Sequence, residues 1–287
     1  MFKLLVLCGP TAIGKTDLAF YLAKKLNGEL ISADSRQVYK YMDIGTGKDW
    51  GDGIVKIWGY DLVRPDEPFS VKNYIDFALP KIEEIQKRGK LPILVGGTGL
   101  YIKAVLDGLE TLDIPPNYFL RKELEKQSTT ELLKILKELN PQKATSLNDS
   151  DRKNKRRLIR AIEISNSPKP KITTIKNFDF LMIGLNLKKE LLDQKIEQRV
   201  NQRLNAGFEK ERQFLKRKNF WAGAPSRTIG YKEGDWLTQE KQYAKRQLTW
   251  FKKDKRIIWF DVSSSNFKKN IENLAQLWYK NKDATKI

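Results

Sequence analysis

Gly9-Pro10-Thr11-Ala12-Ile13-Gly14-Lys15-Thr16 follows the apolar run Leu4-Leu5-Val6-Leu7 and precedes a helical pattern. The spacing G-x-x-x-x-G-K-[ST] between a strand and a helix constrains the chain more than any other segment. Glycines at both ends let the backbone curl until its N–H groups converge, and the next helix begins with its positive dipole end at the same point. A polyphosphate fits that concavity. Lys15 supplies a point charge for the terminal phosphates, and the Thr16 hydroxyl a ligand for Mg²⁺.

The loop alone leaves open whether the polyphosphate is cleaved for energy, transferred or released as a leaving group. Motor and switch ATPases place a metal-holding carboxylate at the end of a second apolar strand. Here Leu91-Pro92-Ile93-Leu94-Val95 runs into Gly96-Gly97-Thr98-Gly99 without one, which argues against a hydrolysis machine. The chain has no histidine, and Cys8 is its only cysteine. That excludes a Cys/His zinc site and an imidazole base, so proton transfer falls to a carboxylate, lysine, tyrosine, phosphate or water. Met1-Phe2-Lys3-Leu4 enters the first strand directly, and no apolar run approaches membrane-spanning length; the expectation is a cytoplasmic monomer with no membrane contact.

At 287 residues there is room for one large α/β domain, or a core plus a smaller insertion. The net charge of +19 is unevenly spread: residues 1–112 carry 15 Lys+Arg against 14 Asp+Glu, and residues 113–287 carry 39 against 21. A single charge run is as often a solvated helix face as a binding site. An imbalance this large, interleaved with Phe208, Phe214, Phe220, Trp221, Tyr231, Trp236, Tyr243, Trp250 and Phe251, reads as a nucleic-acid surface. RNA is favoured over DNA because RNA readers work on splayed loop bases.

The pattern predicts an α/β protein: a P-loop NTPase-like core on a mostly parallel sheet, with a largely helical basic insertion. Strands are expected at 2–8, 29–33, 54–58, 91–95, 180–187 and 256–262, and helices at 15–26, 70–88, 99–106, 155–164, 190–218 and 241–253. Residues 117–166 read as predominantly helical, and Ser167-Pro168-Lys169-Pro170 as a linker. The core is divided as 1–112, 178–187 and 241–287, the helical basic segment as 113–177, and a helical RNA-contacting segment as 188–240. Asp34-Ser35 falls at a strand's carboxyl end, the edge where open α/β sheets bind ligands.

Ile31-Ser32-Ala33-Asp34-Ser35-Arg36-Gln37-Val38-Tyr39 is followed by Met42-Asp43-Ile44-Gly45-Thr46. Further on come Gly96-Gly97-Thr98-Gly99-Leu100-Tyr101, Arg157-Leu158-Ile159-Arg160-Ala161-Ile162-Glu163, Ile229-Gly230-Tyr231-Lys232-Glu233 and Ala244-Lys245-Arg246-Gln247-Leu248-Thr249-Trp250-Phe251. With the phosphate loop, these six motifs, in order and over nearly the whole chain, resemble the tRNA dimethylallyltransferase (tRNA isopentenyltransferase) family. The resemblance implies transfer of a dimethylallyl group from dimethylallyl diphosphate to N6 of adenosine 37, 3′ of the anticodon, with diphosphate released and Mg²⁺ assisting. It places the diphosphate on Gly9 to Thr16 and on Arg227, with Asp34 as the base and Thr98 beside it. It puts tRNA contacts on Asp34, Ser35, Arg36, Gln37, Thr98, Arg121, Arg156, Arg157, Leu158, Ile159 and Arg160. The chain departs from the pattern at Trp58-Gly59-Tyr60, where many relatives carry a His pair, and it lacks the zinc finger of eukaryotic members, which points to a compact bacterial type.

The residues' own chemistry agrees. A diphosphate leaving group needs neutralisation as the allylic C–O bond breaks, and an adenine amine gains from a carboxylate that orients it and takes its proton. Other roles stand beside these: Asp34 as a Mg²⁺ ligand or turn cap, Thr98 as a plain turn residue, and Arg157 and Arg160 as a solvated helix face. A small-molecule kinase shares the loop but leaves the charge unexplained. An adenylate isopentenyltransferase needs little RNA surface, and an RNA-binding module has no need of the loop.

Overall fold

Strand formation begins where burial is deepest. In the computed structural model, which describes residues 2–167 and 178–280, Leu4 to Cys8 are fully buried, as a central parallel strand covered on both faces requires. In chain order the elements are β1 (Phe2–Cys8), α1 (Lys15–Leu26), β2 (Gly28–Ser32), β3 (Ile57–Trp58), α2 (Val71–Lys87), β4 (Leu91–Gly96) and α3 (Gly99–Leu106). Then come α4 (Tyr118–Leu124), α5 (Thr129–Leu139), α6 (Pro141–Ser146), α7 (Asp149–Arg152) and α8 (Lys155–Ser165). The chain finishes with β5 (Phe178–Asn186), α9 (Lys189–Asn205), α10 (Phe208–Arg217), α11 (Trp236–Phe251), β6 (Ile258–Asp261) and α12 (Phe267–Lys280). The expected linker residues Pro168 to Pro170 lie outside the described residues.

Two compact units emerge, one of Met1–Asp107 with Ile175–Ile287, the other of Gly108–Thr174. The first holds a six-stranded sheet in the order β3-β2-β4-β1-β5-β6, every registered pairing parallel. With β1 central, the phosphate loop leaves its carboxyl end with the turns that follow β4 and β2 on one side and β5 on the other. The second unit is helical, α4 to α8, closing on Leu132, Leu136, Leu158 and Ile162.

Local chemistry explains three departures from the sequence reading. The single helix expected over 190–218 is two, because Gly207 takes a left-handed φ of 98° and restarts the chain as α10. The strand expected from Ile54 shrinks to Ile57–Trp58, leaving Ile54 exposed. Helix α12 went unforeseen; Ile271, Ala275 and Trp278 bury one face of it against the core. The basic excess also sits mainly in one place. Residues 175–287 carry 25 Lys+Arg against 13 Asp+Glu, and residues 108–174 only 14 against 9.

Candidate active site

At the end of β1 the chain turns through Gly9 at φ 142°, where a Cβ would stand 2.8 Å from the Leu185 carbonyl oxygen, so the loop can lie this close to β5 only as glycine. Gly14, at φ 90°, is the N-cap of α1. Lys15 Nζ donates to the Pro10 carbonyl at 2.6 Å, curling over the loop. From α9, Arg199 Nη1 donates to Thr11 Oγ1 at 3.3 Å. Neither cation forms an ion pair with a carboxylate among the described residues. Burial first, then Arg199, pulls the Lys15 ammonium down to about 8, and burial lowers Arg199 as well. Arg203, one turn further along α9, is buried, and burial and Arg199 press its pKa down too. A cleft of about 480 Å³ opens over the loop, lined by Gly14, Lys15, Thr16, Gly47, Asp49, Lys195 and Arg199.

On the other side of the loop, Asp34 Oδ1 accepts from the Arg36 backbone N–H at 2.9 Å, a short turn that fixes the carboxylate at the end of β2. Thr98 Oγ1 accepts from the Ser35 N–H at 2.9 Å, tying this turn to the one after β4. Arg36 is held inside by Glu240 at 3.2 Å and stacks over Tyr243 at 4.3 Å. Gln37 accepts from Ser32 Oγ at 2.8 Å and donates to the Gly47 carbonyl at 3.1 Å. Gln247 of α11, 4% exposed, bridges both loops: its Oε1 accepts from the Thr11 N–H at 2.8 Å and its Nε2 donates to the Gly97 carbonyl at 2.9 Å. A small inner cavity of about 40 Å³ brings Thr11, Lys15, Thr16, Asp34, Tyr60, Arg199 and Gln247 together. Lys15 and Arg199, which form no ion pair among the described residues, thus share this cavity with Asp34, whose Oδ1 also lies 3.7 Å from Arg36 Nε, an arrangement that could take a polyanion on one side and a proton on the other.

The family model for IPP transferase matches residues 37–254. The chain belongs to the IPP transferase family. An isopentenyl transferase model matches residues 2–57. Similar proteins include the tRNA dimethylallyltransferases of Finegoldia magna, 36% identical over 97% of this chain and 96% of that protein, and of Anoxybacillus flavithermus, 39% identical over 91% of each. Among solved structures, the tRNA isopentenylpyrophosphate transferase of Bacillus halodurans superposes with a TM-score of 0.72 at 35% identity, covering 97% of both chains. A eukaryotic dimethylallyltransferase crystallised while acting on tRNA gives 0.83 at 25% identity, over all of this chain and 81% of that one.

In this chain Gly9 to Thr16 follow β1, Asp34 follows β2, and Thr98, at the α3 N-cap after β4, is tied to the Asp34 turn through the Ser35 N–H. Arg227 does not join them: it is exposed, on a short 3-10 turn, and lines neither cavity. Arg36 and Gln37, expected at tRNA, are committed to partners within the sheet unit. In the helical unit, Leu158 and Ile159 are core residues, 0% and 4% exposed. Arg121 pairs with Glu163 through two bonds, of 2.6 and 2.7 Å, and Arg160 holds Glu163 and the Ile114 carbonyl. Arg156 and Arg157 face solvent, Arg157 paired with Asp151. At the departing Trp58-Gly59-Tyr60, Trp58 donates to Glu29 while Tyr60 lines the inner cavity. Sequence reasoning missed Arg199, Arg203 and Gln247. For Arg203 alone there was a signal: Leu192, Ile196, Val200 and Arg203 share the buried stripe of α9, and a cation on an apolar stripe needs an anion.

Proposed function

We propose that this chain transfers a dimethylallyl group from dimethylallyl diphosphate to N6 of adenosine 37 of tRNA, releasing diphosphate. The observation that carries the donor half is the pair Lys15 and Arg199, half-buried around the loop with hydrogen bonds to Pro10 and Thr11 and no ion pair among the described residues. Such cations want a ligand that brings negative charge. The diphosphate sits on the loop N–H groups, Lys15 and Arg199, which hold its charge as the C–O bond lengthens. Asp34, pinned by its turn, orients the amine and accepts the proton that nitrogen loses when the N–C bond forms. Thr98 acts through the Ser35 backbone, holding that turn.

Magnesium fits this donor set. Among the described residues no group of three or more His, Cys, Asp or Glu could hold a metal, so the ion would rest on the Thr16 hydroxyl and the diphosphate oxygens. When bound it neutralises leaving-group charge. The Cys8 thiol plays no part: burial pushes it up to about 12.

Recognition of tRNA falls to exposed cations, Arg156 and Arg157 in the helical unit and the solvent-facing Lys and Arg of residues 178–280. No described helix is long and apolar enough to cross a membrane. The test is incubation with prenyl-labelled dimethylallyl diphosphate and either total tRNA or AMP. Label in tRNA supports the proposal; label in AMP alone replaces it with nucleotide prenylation.

A further inference from the structure

A carboxylate serves as a base only while an oxygen stays open to the proton, and the cation best placed to close on Asp34 is its near neighbour in the chain. Arg36 lines the inner cavity beside Asp34, and its Nε stands 3.7 Å from Asp34 Oδ1, outside hydrogen-bond reach. That Nε is buried and has no hydrogen-bond partner among the described residues. A buried donor without an acceptor costs free energy, and a guanidinium relieves that cost by pairing with a carboxylate this near. Here it does not close. Two contacts from α11 hold it instead: Arg36 Nη1 donates to Glu240 Oε1 at 3.2 Å, and the guanidinium lies over the Tyr243 ring at 4.3 Å. Glu240 is itself fixed, 2% exposed, its Oε1 also accepting from Arg203 Nη1 and Trp236 Nε1, each at 3.5 Å. Despite burial, Arg36, then Arg203 and Arg199, hold its carboxyl below the usual 4.5, so it carries its charge.

We propose that Glu240 is a positioning residue for the transfer step, drawing the Arg36 guanidinium off Asp34 so that this carboxylate stays able to take the amine proton. The proposal rests on the reading of Asp34 as base and extends it. Among the described residues Arg36 meets two carboxylates within ion-pair distance, Glu240 and Asp34. Remove the charge of the first, and the second is the anion left to it. A charge-assisted bond from Nε then sits on Asp34, and a carboxylate so bonded is a weaker proton acceptor. Glu240 touches no reacting atom; its effect runs through Arg36.

Single-turnover transfer of labelled prenyl group to tRNA, at saturating donor and tRNA, tests this on the full chain and on Glu240→Gln, Arg36→Gln, their double variant and Asp34→Asn. Glutamine at position 240 keeps the size and an acceptor oxygen and removes the charge. Glu240→Gln alone should slow the step by about tenfold or more, with pyrophosphate affinity undiminished. In the Arg36→Gln background the same change should cost less than about twofold, because no guanidinium is left to close on Asp34. Comparing the two backgrounds cancels whatever Arg36→Gln costs by itself. An equal cost with and without Arg36, or no cost in either, overturns the proposal and leaves the base reading standing. If Glu240→Gln does not fold, Glu240→Asp, which withdraws the charge from Arg36, decides by the same comparison: slowing confined to the Arg36 background supports the proposal, and any other pattern overturns it. A near-normal rate in Asp34→Asn overturns the base reading itself, and the proposal with it.

Discussion

Asp34 and Lys15 show how one side chain's environment sets its chemistry. The turn that donates the Arg36 N–H to Asp34 leaves the second carboxylate oxygen for the acceptor amine. Asp34→Asn keeps the turn but cannot take a proton, so single-turnover transfer at saturating donor should fall by about 10² to 10⁴, with pyrophosphate affinity little changed. A near-normal rate in that variant would end the assignment of Asp34 as base. Lys15 carries a pH signature. Its pKa near 8 in the free protein lies well below the ordinary 10.5, and a bound anion raises it, so binding takes up protons. Pyrophosphate affinity should therefore be greatest below pH 8 and decline as the ammonium deprotonates above it. Lys15→Met should bind weakly, without that decline, in titrations between pH 7 and 10. Both residues were legible because each sits in a motif whose spacing has a physical cause. Arg199 and Gln247 were not: they reach the site from α9 and α11, and only tertiary packing of those helices brings them to Thr11.

At the level of elements, α8 binds its unit together through Glu163. Glu163, 2% exposed, accepts from Arg121, from Arg160 and from the Asn117 N–H at 2.9 Å. Despite burial, those bonds hold its carboxyl below the usual value of 4.5. The stability Glu163 contributes is thus complete above pH 4.5 and lost as pH falls through the lower folded value. Glu163→Gln should remove that acid-side dependence from thermal unfolding followed between pH 3 and 6. Glu163→Ala should cost about 3 kcal/mol, since it leaves two arginines without their acceptor. A Tm unchanged by Glu163→Ala would contradict the network's role. The inward face of α8 was readable from its period, and Leu158, Ala161 and Ile162 are indeed buried. What Arg121 and Arg160 do was not, because an arginine's spacing does not tell whether a buried glutamate waits for it. Helix α12 escaped notice for a related reason: a short, charged segment becomes a helix once a core offers its apolar face a seat.

Over the whole molecule, the parallel sheet and the loop at its centre follow from the order of apolar runs and glycine turns. The division of labour among the basic residues does not. Much of the positive charge the sequence offers to an RNA is spent internally, as at Arg36 and Arg160, so only solvent-facing cations should register in tRNA binding. Replacing Arg156 and Arg157 together should weaken tRNA binding and flatten the log-log salt slope by up to about two units, sparing pyrophosphate affinity. An unchanged slope would place the RNA track elsewhere. In the function proposed above, the loop holds a diphosphate that leaves intact while its prenyl group goes to tRNA. The most direct measurement is single-turnover product analysis with dimethylallyl diphosphate labelled on both the prenyl carbon and the phosphorus. Prenyl label recovered on adenosine 37, in one-to-one ratio with released pyrophosphate, is the predicted result; orthophosphate release, or pyrophosphate without prenylated tRNA, would contradict it.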